Sequence, residues 1–517
     1  MEIKILNFKV SVSYQKDIKD LVIKKLQIKK NDVLDFKILH SAIDARKKND
    51  ICYNYQFYIK LNKDYSYLID NKNIISYSPQ SEIPYYNWKH PYQPVIIGFG
   101  PSGMFSALYL ARCNAKPIII ERGSCIEERK KEVNNFFINK ILNENSNIQF
   151  GEGGAGAFSD GKLTTNLNSP YNFHILNEFY THGACEDILY NAMPHIGTDY
   201  LEKVVHNIRE EIISLGGQFY FNTIFTDFQQ EKETLIAICN NGLKVKTKHI
   251  LLCLGHSARD TITHLYHKGI AMEAKPFSMG VRVEHLQKTI NKMQYGNFAH
   301  YLPNASYKSV VHLKERSVYS FCMCPGGVVM ASTSEPNAIV TNGMSEKKRD
   351  KTNANAALLV GINTNDFYKN SPLDGFAFQE KYEKAAFKIT GNYQAPANLM
   401  GEFLHNQIAS KHRSVIPSYP HGVAFSDFQS CLPLFVTQSL KEAIPLINKK
   451  LHLFFQPDAV LTGVETRSSS PLRIIRGENR TSSINGIFPV GEGAGYAGGI
   501  MSAAIDGLKT AIHIVQN

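Results

Sequence analysis

Long apolar runs, a signal-peptide layout and internal repeats are all missing from this chain of 517 residues. No apolar stretch reaches the about 20 residues that a membrane span needs, so neither a transmembrane segment nor a membrane partner is expected. The N-terminal stretch MEIKILNFKV does not have the layout of a secretory signal, which predicts a cytoplasmic protein. With no repeat unit, the length predicts two or three globular domains.

Cysteines are few, and none forms a C-x-x-C pair. The nine cysteines are odd in number and are expected to be reduced thiols. Cys322 and Cys324 stand at C-x-C spacing, which allows a strained redox pair but also suits two buried structural thiols. Cys324 is therefore a catalytic candidate with a structural alternative. No second Cys/His pair stands at ligand spacing, so no metal site is predicted.

The charge of the chain is unbalanced, with a formal net charge of +11. A basic protein can bind nucleic acid, and an enzyme that modifies RNA would be one such case. However, the lysines are scattered and the basic runs are short, as in residues 46–48 and 346–349. General compositional bias is the simpler reading, and a small molecule is the expected partner.

A complete mononucleotide-binding unit lies in residues 94–123. A short apolar strand is followed by Gly98, Gly100 and Gly103 in the pattern G-x-G-x-x-G, then by a helix and a second apolar strand. The three glycines permit a tight turn, backbone approach to a pyrophosphate and close packing of helix on strand. Glu121 ends the second strand, close to the about 20-residue spacing of an acid that binds an unphosphorylated ribose.

A second strand, glycine turn and helix occupy residues 487–508 near the end of the chain. Too few residues follow for another strand and a ribose acid, so this segment is not a second dinucleotide fold. It is predicted to close the first fold, with Glu492 and a helix N-terminus facing the cofactor. No separate NAD(P)H domain is recognisable, so NADH or NADPH, the candidate reductants, would have to bind in another way.

A third glycine-rich segment, residues 151–156, matches G-x-G-x-x-G without a convincing preceding strand. Residues 156–162 nearly match a phosphate-binding loop, but Leu163 replaces the hydroxyl residue that would bind magnesium. A loop that lines the cofactor, with polar contacts from Ser159, Asp160 and Lys162, is favoured over a flexible surface loop.

The order of elements predicts an α/β protein with three parts. Residues 1–77 form a small N-terminal α/β domain, joined by a linker (78–93) to a nucleotide-binding domain (94–264). Residues 265–480 form an inserted α+β substrate domain, and residues 481–517 return to close the nucleotide-binding domain.

Taken together, these motifs resemble the FAD-dependent oxidoreductases with a glutathione-reductase-like fold. More narrowly, the chain resembles poorly characterised FAD-dependent dehydrogenases that carry an extra N-terminal α/β domain. The matching stretches are GFGPSG (98–103), ERG (121–123) with Arg129, FGEGGAGAFSDGKL (150–163), FCMCPGG (321–327), ETRSSSPLRI (465–474) and GEGAGYAGGIMSAA (491–504).

The motifs and the resemblance together imply non-covalent FAD and a set of cofactor-binding positions. The predicted positions are Gly98, Gly100, Ser102, Gly103, Glu121, Arg122, Arg129, Gly154, Ser159, Lys162, Gly255, Gly491, Glu492, Gly498, Gly499 and Ile500. No settled substrate follows from the resemblance.

Candidates for chemistry are the residues able to act beside a flavin ring. Arg467 and Arg473 could hold an anionic substrate or stabilise negative charge on the reduced cofactor, with a surface ion pair as the alternative. Arg282 and Glu284 are predicted to share a strand face as a structural pair, and His256 is expected near the cofactor.

We therefore predict an FAD-dependent oxidoreductase, a dehydrogenase or reductase, with an unidentified substrate that the arginines suggest is anionic. One alternative is a flavin-dependent enzyme that modifies RNA, which the positive charge suggests. The other is a flavin-binding sensor without turnover.

Overall fold

The N-terminal part is a small α/β unit in which one helix packs on an antiparallel sheet. The computed structural model describes residues 1–78 and 83–517. The elements of this unit are β1 (Glu2–Ser11), α1 (Ile18–Leu26), β2 (Val33–Asp44), β3 (Cys52–Leu61) and β4 (Ile74–Ser76). The sheet order is β2-β3-β1-β4. Asp17 caps α1 by accepting from the Lys19 and Asp20 N–H groups, which satisfies donors at the start of the helix.

The nucleotide-binding part begins with alternating strands and helices. Its elements are β5 (Val95–Ile97), α2 (Pro101–Arg112), β6 (Ile118–Ile120), α3 (Ile126–Asn139), α4 (Asn172–Thr181), α5 (Thr198–Ser214), β7 (Gln218–Tyr220), β8 (Phe225–Glu231), β9 (Thr234–Cys239), β10 (Lys244–Thr247), β11 (Ile250–Leu252) and α6 (Arg259–His267). Three short strands of this part form a separate antiparallel sheet in the order β10-β9-β8.

The middle of the chain builds a large antiparallel sheet covered by helices. Its elements are β12 (Met272–Ala274), β13 (Phe277–Leu286), α7 (Gln287–Tyr295), β14 (Val310–His312), β15 (Ser317–Cys324), β16 (Val328–Ala331), β17 (Thr341–Met344), β18 (Asn353–Ile362), α8 (Asp374–Thr390), β19 (Ala395–Leu399), α9 (Met400–Leu404), β20 (Val423–Phe425), α10 (Leu434–Lys450), β21 (Val460–Glu465) and β22 (Leu472–Ile474). Seven strands pair in the order β14-β15-β18-β13-β21-β19-β20.

The chain then returns to its first sheet through β23 (Ile487–Pro489) and α11 (Ile500–Gln516). The resulting five-stranded sheet is parallel, in the order β23-β11-β5-β6-β7, and α11 packs along α2. The C-terminal strand thus joins the sheet that the first glycine motif opens. Because parallel strands point the same way, the loops after β5, β6, β11 and β23 meet at one edge of this sheet.

Candidate functional site

A cavity lies where the parallel sheet meets the large antiparallel sheet. Its volume is about 430 Å³, within the range of small-molecule sites. The nucleotide-binding part contributes the loops after β5, β6 and β11 and the start of α11. The antiparallel part contributes residues 320–323 of β15, Asn342 of β17, and residues around Glu465 and Arg467 after β21. The cavity therefore touches both parts of the molecule.

The turn after β5 places the backbone of Gly98 and Gly100 at the cavity wall, where no side chain of these two residues covers it. Gly98 has φ +96°, and a Cβ there would lie 2.6 Å from the Cys253 carbonyl oxygen. A Cβ on Gly103 would collide with the Gly98 carbonyl, so this glycine serves helix packing and does not line the cavity. The helix begins at Pro101 with no side-chain cap. The positive end of α2 therefore faces a site suited to an anion.

Glu121 lies at the cavity and also braces the loops around it. Its carboxylate accepts hydrogen bonds from the backbone N–H groups of Phe99 (2.8 Å), Gly123 (3.0 Å) and Gly151 (3.0 Å). Each carboxylate oxygen has more than one lone pair, so acceptor capacity remains for a ligand hydroxyl. Arg122 lines the same wall, pairs with Asp260 at 2.5 Å and lies over the Phe150 ring.

The structure corrects the prediction that Arg129 binds the cofactor directly. Arg129 is fully buried, lies outside the cavity and donates five hydrogen bonds to backbone carbonyls of residues 147–154. Burial lowers the pKa of this guanidinium to about 10. Arg129 therefore shapes the glycine loop, whose Gly154 (φ +61°) reaches the cavity beside Gly100.

The C-terminal glycine segment meets the cavity at Glu492 and at residues 498–500. His256, from the loop after β11, places Nδ1 3.1 Å from the Glu492 carboxylate. Gly491 does not line the cavity and packs against Ser102. The helix α11 starts after Gly499 without a side-chain cap, so its N-terminus is also open to a ligand.

A buried ionic cluster stands beside the cavity at the predicted polar loop. Lys162 lines the cavity, and its Nζ lies 2.8 Å from Asp160 Oδ2 without hydrogen-bond geometry. Arg349 also pairs with Asp160, at 2.5 Å, and Ser345 donates to the same carboxylate. Burial alone would raise the pKa of Asp160, but the charges of Lys162 and Arg349 hold it well below its usual range. Ser159 lines the cavity and donates to the Gly156 carbonyl.

Arg467 reaches the cavity but is already paired. Its guanidinium forms two hydrogen bonds with the fully buried Glu383, at 3.0 and 2.8 Å, and donates to Ser257 and Ser334. Arg259 forms a matching pair of bonds with the other side of Glu383. One carboxylate thus joins an arginine of each part of the molecule across the cavity wall.

Two catalytic candidates and one predicted ion pair lie elsewhere than expected. Arg473 is outside the cavity and 41% exposed. It pairs with Glu273 at 3.1 Å, so the structure has the surface ion pair that was the alternative to a role at the cofactor. Cys324 is fully buried behind the cavity wall, because the strand is irregular there. Arg282 pairs with Glu465, at 2.5 Å, and not with Glu284, whose carboxylate accepts from Ser418 and Asn353.

Thirteen of the predicted cofactor positions line this one cavity. They are Gly98, Gly100, Ser102, Glu121, Arg122, Gly154, Ser159, Lys162, Gly255, Glu492, Gly498, Gly499 and Ile500. Sequence reasoning did not single out Gln149, Tyr307, Asn342 and Glu465, which also line it, and it considered Cys322 only as the partner of Cys324. Cys322 and Glu465 lie inside stretches that carried the resemblance, whereas Tyr307 and Asn342 have no local pattern that marks them.

Metal and membrane features were sought in the same residues. Across residues 1–78 and 83–517, no group of three or more His, Cys, Asp or Glu side chains is arranged to hold a metal ion. Within those ranges, no helix is both long and apolar enough to cross a membrane.

Comparison with known sequence families assigns the middle of the chain. Residues 276–468 match the family described as "FAD-dependent protein, C-terminal domain-like". Residues 2–60 match a separate domain of unknown function, DUF8436. The stretch that is similar to this family includes the residues of the antiparallel wall of the cavity.

One curated relative covers the molecule from end to end. An uncharacterized protein of Clostridium beijerinckii is 43% identical over 528 aligned positions, which span 100% of this chain and 99% of the relative. The chain belongs to the family of this clostridial protein. The alignment covers the N-terminal unit as well as the residues that line the cavity.

Solved structures with related folds are more distant. CtdE in complex with FAD has 12% identity and a TM-score of 0.32, with 82% of this chain and 84% of that chain covered. A geranylgeranyl bacteriochlorophyll reductase-like protein from Thermoplasma acidophilum has 11% identity and a TM-score of 0.38, with 82% and 78% covered. OxyS anhydrotetracycline hydroxylase from Streptomyces rimosus has 14% identity and a TM-score of 0.27, with 53% and 47% covered.

Proposed function

We propose that this protein is an FAD-dependent oxidoreductase of the glutathione-reductase-like class. One observation carries the proposal: a single cavity joins an uncapped glycine turn and a ribose-type acid, Glu121, to the strands of a second sheet. A dinucleotide cofactor bound along this cavity would have its ADP part at the first sheet and its reactive ring at the second.

The residues present fit such a group. Gly255, Gly498 and Gly499 line the cavity, and a Cβ at any of them would meet no protein atom within 4 Å. Space beside bare backbone is thus available to a ligand. Tyr307 Oη and His256 Nε2, both at the cavity, are buried and have no hydrogen-bond partner within the protein. Buried polar atoms of this kind usually find a partner, which a ligand can supply.

The chain offers a distinct role to each part of the cavity. The turn from Gly98 to Ser102 and the start of α2 would hold the pyrophosphate, and Glu121 would accept from ribose hydroxyls. Glu492 and the N-terminus of α11 would hold the middle of the cofactor. When bound, FAD supplies hydride or electron transfer; the protein orients the partners and excludes water.

The substrate is proposed to be a small molecule, and NADH or NADPH is the proposed reductant. Because Arg467 is neutralised by Glu383 and Arg473 lies outside the cavity, these arginines give little support to an anionic substrate. Lys162 lines the cavity wall and shares the carboxylate of Asp160 with Arg349, so we expect any anionic group of the substrate beside it.

The test is an absorption spectrum of the purified protein, followed by anaerobic addition of NADH and then NADPH. Flavin bands that bleach within the mixing time of a stopped-flow instrument would support the oxidoreductase and identify the reductant. Bands that persist with both donors would refute the nicotinamide step and favour a sensor. A protein that takes up no flavin after incubation with FAD would overturn the proposal. Arg473→Ala is the matched control, because its side chain lies outside the cavity.

A further inference from the structure

The strand β15 changes course where it reaches the cavity. Phe321 pairs with Ala357 and Cys324 with Asn355, so three steps along β15 match two along β18. The extra residue is accommodated by Cys322, which has φ +42°, in the left-handed region that residues other than glycine rarely adopt. Bulges of this kind re-aim side chains beside functional sites.

The bulge separates the two thiols of the C-x-C pair. Cys322 is half-buried and lines the cavity, whereas Cys324 is fully buried and does not. The Cys324 thiol donates to the Cys322 carbonyl at 3.3 Å, and Arg282 donates to the same oxygen at 2.9 Å. The bulge is therefore held from two sides, and only Cys322 is presented to a small molecule.

Charged groups around Cys322 leave one positive charge without a counter-charge. Arg282 is matched by Glu465, to which it donates two hydrogen bonds. Lys162 and Arg349 share the single carboxylate of Asp160. Lys162 Nζ is buried, and the one carboxylate beside it, 2.8 Å away, is also used by Arg349, so a further anion nearby would be favourable for it. A thiolate at Cys322 would complete the balance.

Tyr307 adds an independent sign that this end of the cavity takes a ligand. Its side chain lines the cavity and is only 6% exposed, and its hydroxyl has no partner within the protein. A buried phenol that lacks a partner is costly unless a ligand or water accepts its proton in a hydrogen bond.

We propose that Cys322 is a nucleophilic thiolate and the attachment site for small-molecule disulfides in this cavity. The thiolate attacks one sulfur of the disulfide. A new S–S bond forms to Cys322 Sγ, the original S–S bond breaks, and the second half leaves as a thiolate. The exchange needs no other oxidant or reductant. It does not depend on a bound flavin and therefore stands apart from the proposed oxidoreductase activity.

The electrostatics agree with this geometry. The nearby Cys324 thiol and the charges of Lys162 and Arg282 lower the pKa of the Cys322 thiol well below its ordinary value. The other titratable groups at this end, Asp160, Arg349, Glu465 and Tyr307, include two carboxylates, whose negative charge opposes the thiolate. Reactive cysteines generally occupy such electropositive and partly accessible settings.

The test measures sulfur chemistry rather than flavin chemistry. The full-length protein, both as purified and after removal of bound flavin, is treated with cystamine or methyl methanethiosulfonate between pH 5 and 9, and modified peptides are identified by mass spectrometry. At pH 6 a thiol with a lowered pKa has more thiolate than an ordinary thiol, partly offset by its weaker nucleophilicity. We expect Cys322 to react about tenfold faster than an ordinary thiol at this pH.

Variants separate the proposal from general thiol accessibility. Cys322→Ser should abolish the fast reaction, whereas Cys185→Ser, at another partly exposed cysteine outside the cavity, should leave it unchanged. Lys162→Met should slow the reaction at pH 6 at least threefold and move its pH profile upward, and Lys162→Arg should restore most of the rate. Slow modification of Cys322 in both preparations, or a rate unaffected by Lys162→Met, would overturn the proposal.

Discussion

We predict that the carboxylate of Glu383 stabilises the folded protein more than any other single ionic group of the cavity wall does. It is fully buried and forms two hydrogen bonds with each of two arginines, Arg259 and Arg467, at 2.8 to 3.0 Å. The substitution Glu383→Gln keeps the shape of the side chain but leaves two buried guanidinium groups with less compensation. Removing one partner of a buried pair costs about 3–5 kcal/mol.

A matched control stands one turn away on the same helix, α8. Glu380 pairs with Lys384 at the surface, where the two side chains are 40% and 49% exposed. Exposed pairs of this type contribute about 0.3–0.5 kcal/mol, so Glu380→Gln should change stability little. Urea unfolding, followed by near-ultraviolet circular dichroism, would compare the two variants. With a slope of about 3 kcal/mol/M, Glu383→Gln should lower the midpoint by about 1 M or more.

The pH dependence gives a second readout of the same contact. Burial alone would raise the pKa of Glu383, but Arg259 and Arg467 lower it below its ordinary value. A lowered folded pKa means that the stabilisation is present above the unfolded value of about 4.3 and is lost as the pH falls below it. Glu383→Gln should therefore flatten the acid side of the stability profile. Equal urea midpoints for Glu383→Gln and Glu380→Gln would refute the reasoning.

Three further predictions concern the cavity, the surface and pH. Gly255→Ala should weaken FAD binding about tenfold without destabilising the apoprotein, because the added Cβ meets no protein atom but enters the cavity. The control Gly361→Ala, outside the cavity, should leave a flavin titration unchanged. Arg473→Ala should change the free energy of unfolding by less than about 1 kcal/mol, since it removes only an exposed pair with Glu273; a larger loss in urea would contradict this. Burial raises the pKa of Glu152 to about 7. Between pH 4.5 and 7 the folded state keeps a proton that the unfolded state has released, so the free energy of unfolding should fall by about 3 kcal/mol over that range. A pH dependence of stability in the wild-type protein that is no steeper there than in Glu152→Gln would refute this prediction.

Short sequence patterns were enough to predict those elements whose conformation depends on residues adjacent in the chain. The strand, turn and helix around Gly98 were predictable because three glycines and two apolar strands constrain the same short stretch. The second strand of the N-terminal sheet, Val33–Asp44, was missed because its burial does not alternate cleanly between core and solvent. Its place in the sheet depends on pairing with Cys52–Leu61 rather than on its own pattern.

The roles of the charged residues could not be predicted in the same way, because their partners are distant in sequence. Arg467 pairs with Glu383 and Arg282 with Glu465, over separations of 84 and 183 residues. A motif shows that an arginine is present, but only the fold shows whether its charge is already matched. For that reason Lys162, which lacks a hydrogen-bond partner, is a better ligand candidate than either predicted arginine.

Arg129 shows how a residue can be essential to a site that it does not touch. Its donors hold the carbonyls of residues 147–154, while Glu121 accepts from the Gly151 N–H of the same loop. The Arg129 guanidinium and the Glu121 carboxylate are both buried and form their hydrogen bonds with backbone atoms, so each is satisfied only when the loop has one conformation. Since Gly154 of that loop lies against Gly100 at the cavity wall, a substitution at Arg129 should weaken cofactor binding by displacing backbone. Such an effect would look like the loss of a ligand contact unless the stability of the apoprotein were measured beside it.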